Sequence, residues 1–118
     1  MWGQLFRLHG QYLPPQPGVR PPPMWGTEAR IRELFGDAVR DLRLQKRKAL
    51  FRATSAQAWL DFFKTWFGPM IAVLQTLDES GRECFASDIL AELERVNRAD
   101  DGTLVAEAEY LEVIAIRR

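Results

Sequence analysis

Six of the seven prolines in this chain lie between Pro14 and Pro23, and they limit the possible folds more than any other feature. Proline fixes φ and has no backbone N–H, so this run can neither continue a helix nor lie inside a sheet. We expect it to be extended and without internal hydrogen bonds. It divides the chain into a short amphipathic helix at about residues 3–13, a proline-rich connector at 14–26 and a larger unit at 27–118.

The proline-rich run has two interpretations. A stiff connector between two packed parts is the simpler one, and a ligand for a separate proline-recognition domain is the other. A length of 118 residues suffices for one small hydrophobic core, so we expect residues 1–118 to form a single domain.

Hydrophobic periodicity predicts three further helical segments, at about residues 27–35, 55–77 and 80–98. Thr27 is a suitable N-cap for the first of them, and Gly36 is a suitable residue to end it. The starts of the other two are indicated by capping-box spacing, in which a Ser or Thr precedes a Glu or Gln by three residues. The two candidate boxes are Thr54 with Gln57 and Ser80 with Glu83.

An aromatic stripe is the strongest periodic signal in the chain. Its members recur at i, i+3, i+4 and i+7 of one predicted helix: Trp59, Phe62, Phe63 and Trp66. Filling the core is the simpler interpretation of these rings. In the alternative, five aromatic side chains line a pocket for an apolar ligand: Trp25, Trp59, Phe63, Trp66 and Tyr110.

Two segments, at about residues 39–53 and 103–117, have the composition and alternation of strands. Together with the helices they predict an α+β fold with a small sheet. The second strand is apolar on both faces over residues 110–116, which is typical of a strand inside a sheet.

The first strand changes its apolar phase. Leu42 and Leu44 fall on one face of the pleat, whereas Ala49 and Phe51 fall on the other. Because a strand with one continuous buried face cannot do this, we expect a bulge or tight turn near residues 45–48.

The residues that carry chemistry are few. His9 is the only histidine and Cys84 the only cysteine, which excludes the usual structural zinc sets and leaves no supported nucleophilic triad. Cys84 is expected to be a small buried side chain. All eight glycines are isolated, so no Gly-rich turn joins a strand to a helix to bind a nucleotide cofactor. We predict no catalytic, cofactor-binding or metal-binding residues in this chain.

Charge is balanced overall but unevenly distributed. Residues 1–54 hold ten Lys/Arg and four Asp/Glu, and residues 55–118 hold six and twelve, so the formal charges are +6 and −6. The two halves should attract each other, within one chain or between two. The basic cluster lies on a predicted strand without interleaved aromatic residues, which argues against a nucleic-acid partner.

No apolar stretch reaches the roughly 20 residues that a membrane-spanning helix needs. The first residues also lack the pattern of a secretory signal. With a single cysteine that can form no internal disulfide, these features favour a cytoplasmic protein without a membrane partner.

Four segments resemble, in the same order, class I S-adenosylmethionine-dependent methyltransferases of the ubiquinone-biosynthesis type. They are Pro14–Glu28, Phe63–Pro69, Glu94–Arg98 and Glu109–Ala115. The resemblance covers nearly the whole chain and corresponds to the C-terminal half of those enzymes. It implies that the proline-rich run is a connector and that the two strands are antiparallel neighbours.

The half of the family pattern that binds the cofactor is missing from these residues. The resemblance therefore implies a methyltransferase-like C-terminal subdomain with substrate-side or protein-interaction roles and no catalytic activity alone. S-adenosylmethionine would be bound only if a complementary half were supplied. The alternative function is a small homodimeric protein whose aromatic pocket binds an apolar ligand. In either case we expect a partner, a second copy or a complementary half, because the apolar surface needs further cover.

Overall fold

A computed structural model describes residues 1–118, and it shows an α+β fold in which five α-helices accompany a two-stranded sheet. The helices are α1 (Trp2–Tyr12), α2 (Glu28–Phe35), α3 (Ala56–Trp66), α4 (Gly68–Thr76) and α5 (Glu79–Val96). The strands are β1 (Val39–Ala53) and β2 (Leu104–Arg117), and short 3-10 turns occupy Pro22–Gly26 and Gly36–Ala38. The predicted fold class is confirmed, and the segment predicted at 55–77 is two helices that meet at Gly68-Pro69.

β1 and β2 form a long antiparallel ribbon, as expected. Its register runs without interruption from Asp41 opposite Ile116 to Ala53 opposite Leu104, and the one irregularity lies between Val39 and Asp41. The predicted bulge near residues 45–48 is therefore wrong.

The ribbon instead uses opposite faces in its two halves. In the half near the helices, Leu104, Ala106 and Ala108 are buried on the face that carries Phe51. In the distal half, Leu42 and Leu44 are half-buried on the other face. The apolar residues of β1 therefore change face because different elements cover the two halves of the ribbon, and the strand register does not change.

The layer on the second face is the turn at Pro22–Gly26 together with α2. This turn contacts β2 and packs against α2, whose Ile31 is 2% exposed although it lies outside the main core. Lys46 shares the face of Leu44, and its pKa is raised mainly by the hydrogen bond to Glu109, with a smaller contribution from the Glu28 carboxylate at the start of α2. Thr27 caps α2 by accepting a hydrogen bond from the amide of Arg30, and Gly36 ends the helix at φ 45°, as predicted.

The main core lies among α1, α3, α4, α5 and the near half of the ribbon. Its fully buried side chains come from every one of these helices and from β2: Leu5, Leu60, Met70, Phe85, Ile89, Leu93 and Leu104. The N-terminal helix is therefore part of the core despite the proline-rich connector that follows it. None of the helices combines the length and apolar character needed to cross a membrane.

The buried face of α3 is rotated from the predicted aromatic stripe. Trp59 and Leu60 are buried, whereas Phe62 is 59% exposed and Trp66 is 73% exposed. At about 100° per residue, the inward face is centred between Trp59 and Leu60 instead of between Trp59 and Phe62. Half of the stripe therefore faces water.

Two predicted capping boxes are also displaced. Ser55, not Thr54, caps α3 by accepting a hydrogen bond from the amide of Ala58. Asp78, not Ser80, caps α5 by accepting one of 2.8 Å from the amide of Gly81. In both cases a short polar side chain just outside the helix reaches the third helical N–H, which is the ordinary N-cap geometry.

Candidate functional site

The five aromatic residues predicted to line one pocket lie in four separate places. Trp59 and Phe63 stack with ring centroids 3.9 Å apart and line a cavity of about 450 Å³ between α3 and β1. Trp25, in the 3-10 turn, is 61% exposed, Trp66 is exposed at the end of α3, and Tyr110 is exposed on β2. The structure thus brings together only two of the five.

Trp2 is the ring that the sequence analysis missed. Its centroid lies 5.5 Å from those of Phe51 and Phe63 and 5.8 Å from that of Trp59. A signal for this was present, because Trp2 precedes the buried Leu5 by three residues and extends the inward stripe of α1 by one turn. These rings form a packed aromatic cluster that joins α1 and α3 to the ribbon.

The outer edge of β2 has no neighbouring strand over most of its length. Near its start this edge is closed: the amide of Arg98 donates to the carbonyl of Val105, and the amide of Val105 donates to Oδ1 of Asn97. Beyond Val105, β2 has β1 as its only neighbouring strand. Since outward-pointing backbone groups alternate along an antiparallel strand, Glu107, Glu109 and each second residue after them present free N–H and C=O groups.

Side chains beside this edge are apolar and open to water. Tyr110 is 48% exposed and Ile114 is 50% exposed, on the ribbon face that the helices cover only near Leu104 to Ala108. We call the free edge from Glu107 to Arg117, with the side chains of Tyr110 and Ile114, the β2 surface. It combines unpaired backbone groups with apolar side chains, and such an edge is a template for an added strand.

The opposite edge, on β1, is protected. The strand carries six Lys and Arg residues, and charged side chains on an edge strand disfavour pairing with another chain. Two of the lysines have carboxylate partners on β2: Lys46 bonds Glu109 at 2.9 Å and Lys48 bonds Glu107 at 2.6 Å. The predicted attraction between the two halves is therefore realised within the chain.

The pKa shifts of the ribbon follow from these pairs. The hydrogen bond from Lys48 lowers the pKa of Glu107, with Arg98 at 2.9 Å adding to the effect. The hydrogen bond to Glu109 raises the pKa of Lys46. Both groups are charged at neutral pH, so this part of the ribbon carries a ladder of alternating charges.

Two findings concern the metal-ligating side chains and the single cysteine. No group of three or more His, Cys, Asp or Glu side chains is placed to hold a metal ion. Cys84, expected to be buried, is exposed on α5, which corrects that prediction.

No protein-family model and no curated protein matches this chain.

Proposed function

We propose that this chain is a methyltransferase-like C-terminal subdomain that acts through a partner. The partner is a complementary half that carries the Gly-rich turn and binds S-adenosylmethionine, and it docks by adding a strand to the β2 surface. Alone, the chain has no catalytic activity. It contributes substrate-side and interaction surfaces to the completed cytoplasmic enzyme.

The single observation that carries this proposal is the openness of the fold. The radius of gyration is 16.9 Å, whereas a compact domain of this length has about 13.5 Å. Only 14 of the 118 residues are buried, and the ribbon extends beyond its helices. In a chain with 47% hydrophobic residues, uncovered surface of this extent supports an interaction surface that a partner covers.

The asymmetry of the two ribbon edges indicates where that layer attaches. β1 carries six Lys and Arg residues, whereas residues 110–116 of β2 are apolar on both faces except for Glu112. A strand of that kind is stable when it lies between two neighbours. The four-segment resemblance supports the same placement, because in the related enzymes this half packs against the cofactor-binding half.

A second copy of the chain is the competing occupant of the β2 surface. Two β2 edges could pair about a two-fold axis. Opposite charges do not favour this dimer, because Lys46 and Lys48 already have partners on their own ribbon. Light scattering at micromolar concentration measures whether it forms.

The proposal is tested by co-expression with a cofactor-binding half from an adjacent reading frame that carries a Gly-rich turn. We expect a one-to-one complex that crosslinks to S-adenosylmethionine, whereas the isolated chain does not. Ile114→Lys should reduce complex formation at least ten-fold. Leu50→Lys is the matched control, because Leu50 is equally exposed but lies on β1.

Two results would contradict the proposal. One is tight binding of S-adenosylmethionine by the isolated chain in a calorimetric titration. The other is a complex that forms equally well with Ile114→Lys, since the β2 surface would then not be the docking site.

A further inference from the structure

A groove lies between α1, the proline-rich connector and α4. Its volume is about 450 Å³, within the range of small-molecule sites. Most lining residues are apolar, and they come from all three segments, among them Phe6 of α1, Val19 of the connector and Val73 of α4.

Two glycines form the floor of the groove on either side of Phe6. Gly3, Phe6 and Gly10 recur at i, i+3 and i+7, so they share one face of α1. A Cβ added at Gly3 or at Gly10 would meet no atom within 4 Å, which means that both positions open onto empty space. Glycine inside a helix is destabilising relative to alanine. Gly10 lies inside α1 at this cost to helix stability, and neither glycine places a side chain in the groove.

The connector forms the opposite wall. Its prolines and Val19 are exposed, and they present flat apolar rings toward Phe6 and the first turns of α4. Because proline restricts the backbone, this wall is rigid before any ligand arrives, and binding costs it little conformational entropy. A rigid apolar wall facing an open glycine floor suits a flat ring system.

Arg7 is the only charged residue that lines the groove. Its guanidinium forms no salt bridge, and the carboxylate it influences, Glu92, is already held by Arg95 at 2.7 Å and 2.8 Å. His9, the other titratable lining residue, has its pKa lowered by burial and is neutral at pH 7. The groove therefore offers one unpaired cation beside an apolar cleft.

We propose that this groove binds a small, mainly apolar molecule that carries one anionic group. Its ring system lies between Phe6 and the connector prolines, above Gly10, and its anion pairs with Arg7. All of these residues belong to this chain, so the inference does not depend on the proposed partner half.

The test uses 2-naphthoate as the probe and 2-naphthylmethanol as its neutral counterpart, titrated into the full chain and followed by NMR. We expect naphthoate to shift the resonances of Phe6, Val19 and Val73. Gly10→Leu fills the floor and should weaken binding of both probes at least ten-fold while raising thermal stability. Gln11→Leu adds the same side chain on another face of α1 and should leave binding unchanged.

Arg7→Gln tests the anion. It should weaken naphthoate about three-fold, the scale of an exposed ion pair, and leave naphthylmethanol unaffected. Equal losses for the two probes, undiminished binding by Gly10→Leu, or shifts confined to residues outside the groove would each overturn the proposal. Absence of any shift at millimolar probe would also overturn it. Gly3→Leu provides a second floor variant if Gly10→Leu fails to fold.

Discussion

The hydroxyl of Tyr12 donates a 2.6 Å hydrogen bond to Oδ2 of Asp88, and this contact joins the last turn of α1 to the middle of α5. The Tyr12 ring also lies edge-on to Phe85, with centroids 5.0 Å apart. The carboxylate of Asp88 raises the pKa of Tyr12 to about 12, because it stabilises the protonated phenol. The end of α1 is thereby fixed immediately before the chain enters the proline-rich connector.

Removing this hydroxyl should loosen α1. We expect Tyr12→Phe to lower the free energy of unfolding by about 0.5 to 1 kcal/mol, the lower part of the usual range because water reaches the pair. Urea unfolding of Tyr12→Phe, Asp88→Asn and the double variant measures this loss of unfolding free energy. If the hydrogen bond is the cause, the loss in the double variant is smaller than the sum of the two single losses.

His9 should make stability depend on pH. Its Nδ1 bonds the carbonyl of Leu5, its Nε2 is buried without a partner, and burial lowers its pKa below the usual 6.5. The unfolded chain therefore takes up the proton first, so stability is present above pH 6.5 and is lost as pH falls toward the folded pKa.

Thermal unfolding between pH 7.5 and pH 5 tests this dependence. As the pH is lowered below about 6.5, the melting temperature of the wild-type protein should decrease. His9→Leu should remove that part of the dependence of melting temperature on pH. Gln11→Leu, on the same helix, should retain it. An unchanged slope in His9→Leu would mean that other groups are responsible.

The rotation of α3 predicts unequal costs for two neighbouring truncations. Leu60 is fully buried, so Leu60→Ala should destabilise the chain by about 2 to 5 kcal/mol through lost transfer energy and a residual cavity. Phe62 is 59% exposed, and Phe62→Ala should cost less than about 1 kcal/mol. Chemical denaturation of both variants compares them, and a larger cost for Phe62→Ala would restore the orientation predicted from the stripe.

Local signals were sufficient for the order of elements. Thr27 and Gly36 mark the ends of α2 through interactions within a few residues, and the apolar alternation of β2 is visible without knowledge of its neighbours. These features depend on short-range sterics and hydrogen bonds, so the sequence predicts them. The antiparallel pairing of the strands required the resemblance as well.

The orientation of α3 and the members of the candidate pocket depend on contacts between residues that are distant in the sequence. Whether Phe62 or Leu60 faces inward is decided by Trp2 and the helices packed on α3, and the periodic pattern allows either. The change of face along β1 likewise depends on the turn at Pro22–Gly26, which contacts β2, and no local pattern reveals that contact. The predicted pocket was wrong for the same reason, because Trp25 and Tyr110 belong to elements whose positions are set by tertiary packing.

The cap of α5 gives a last test of local structure. Asp78 accepts from the amide of Gly81, and a Cβ at Gly81 would lie 3.1 Å from the Asp78 carboxylate, so the two residues fit closely. We expect Asp78→Ala to lower the free energy of unfolding by about 1 kcal/mol. Asp78→Asn should retain most of the stabilisation, because Asn is also a good N-cap. Ser80→Ala should change stability by less than about 0.5 kcal/mol, because Ser80 lies within the helix and is not the cap. Urea denaturation of the three variants decides between the two caps: a loss in Ser80→Ala as large as that in Asp78→Ala would reinstate the Ser80 and Glu83 capping box.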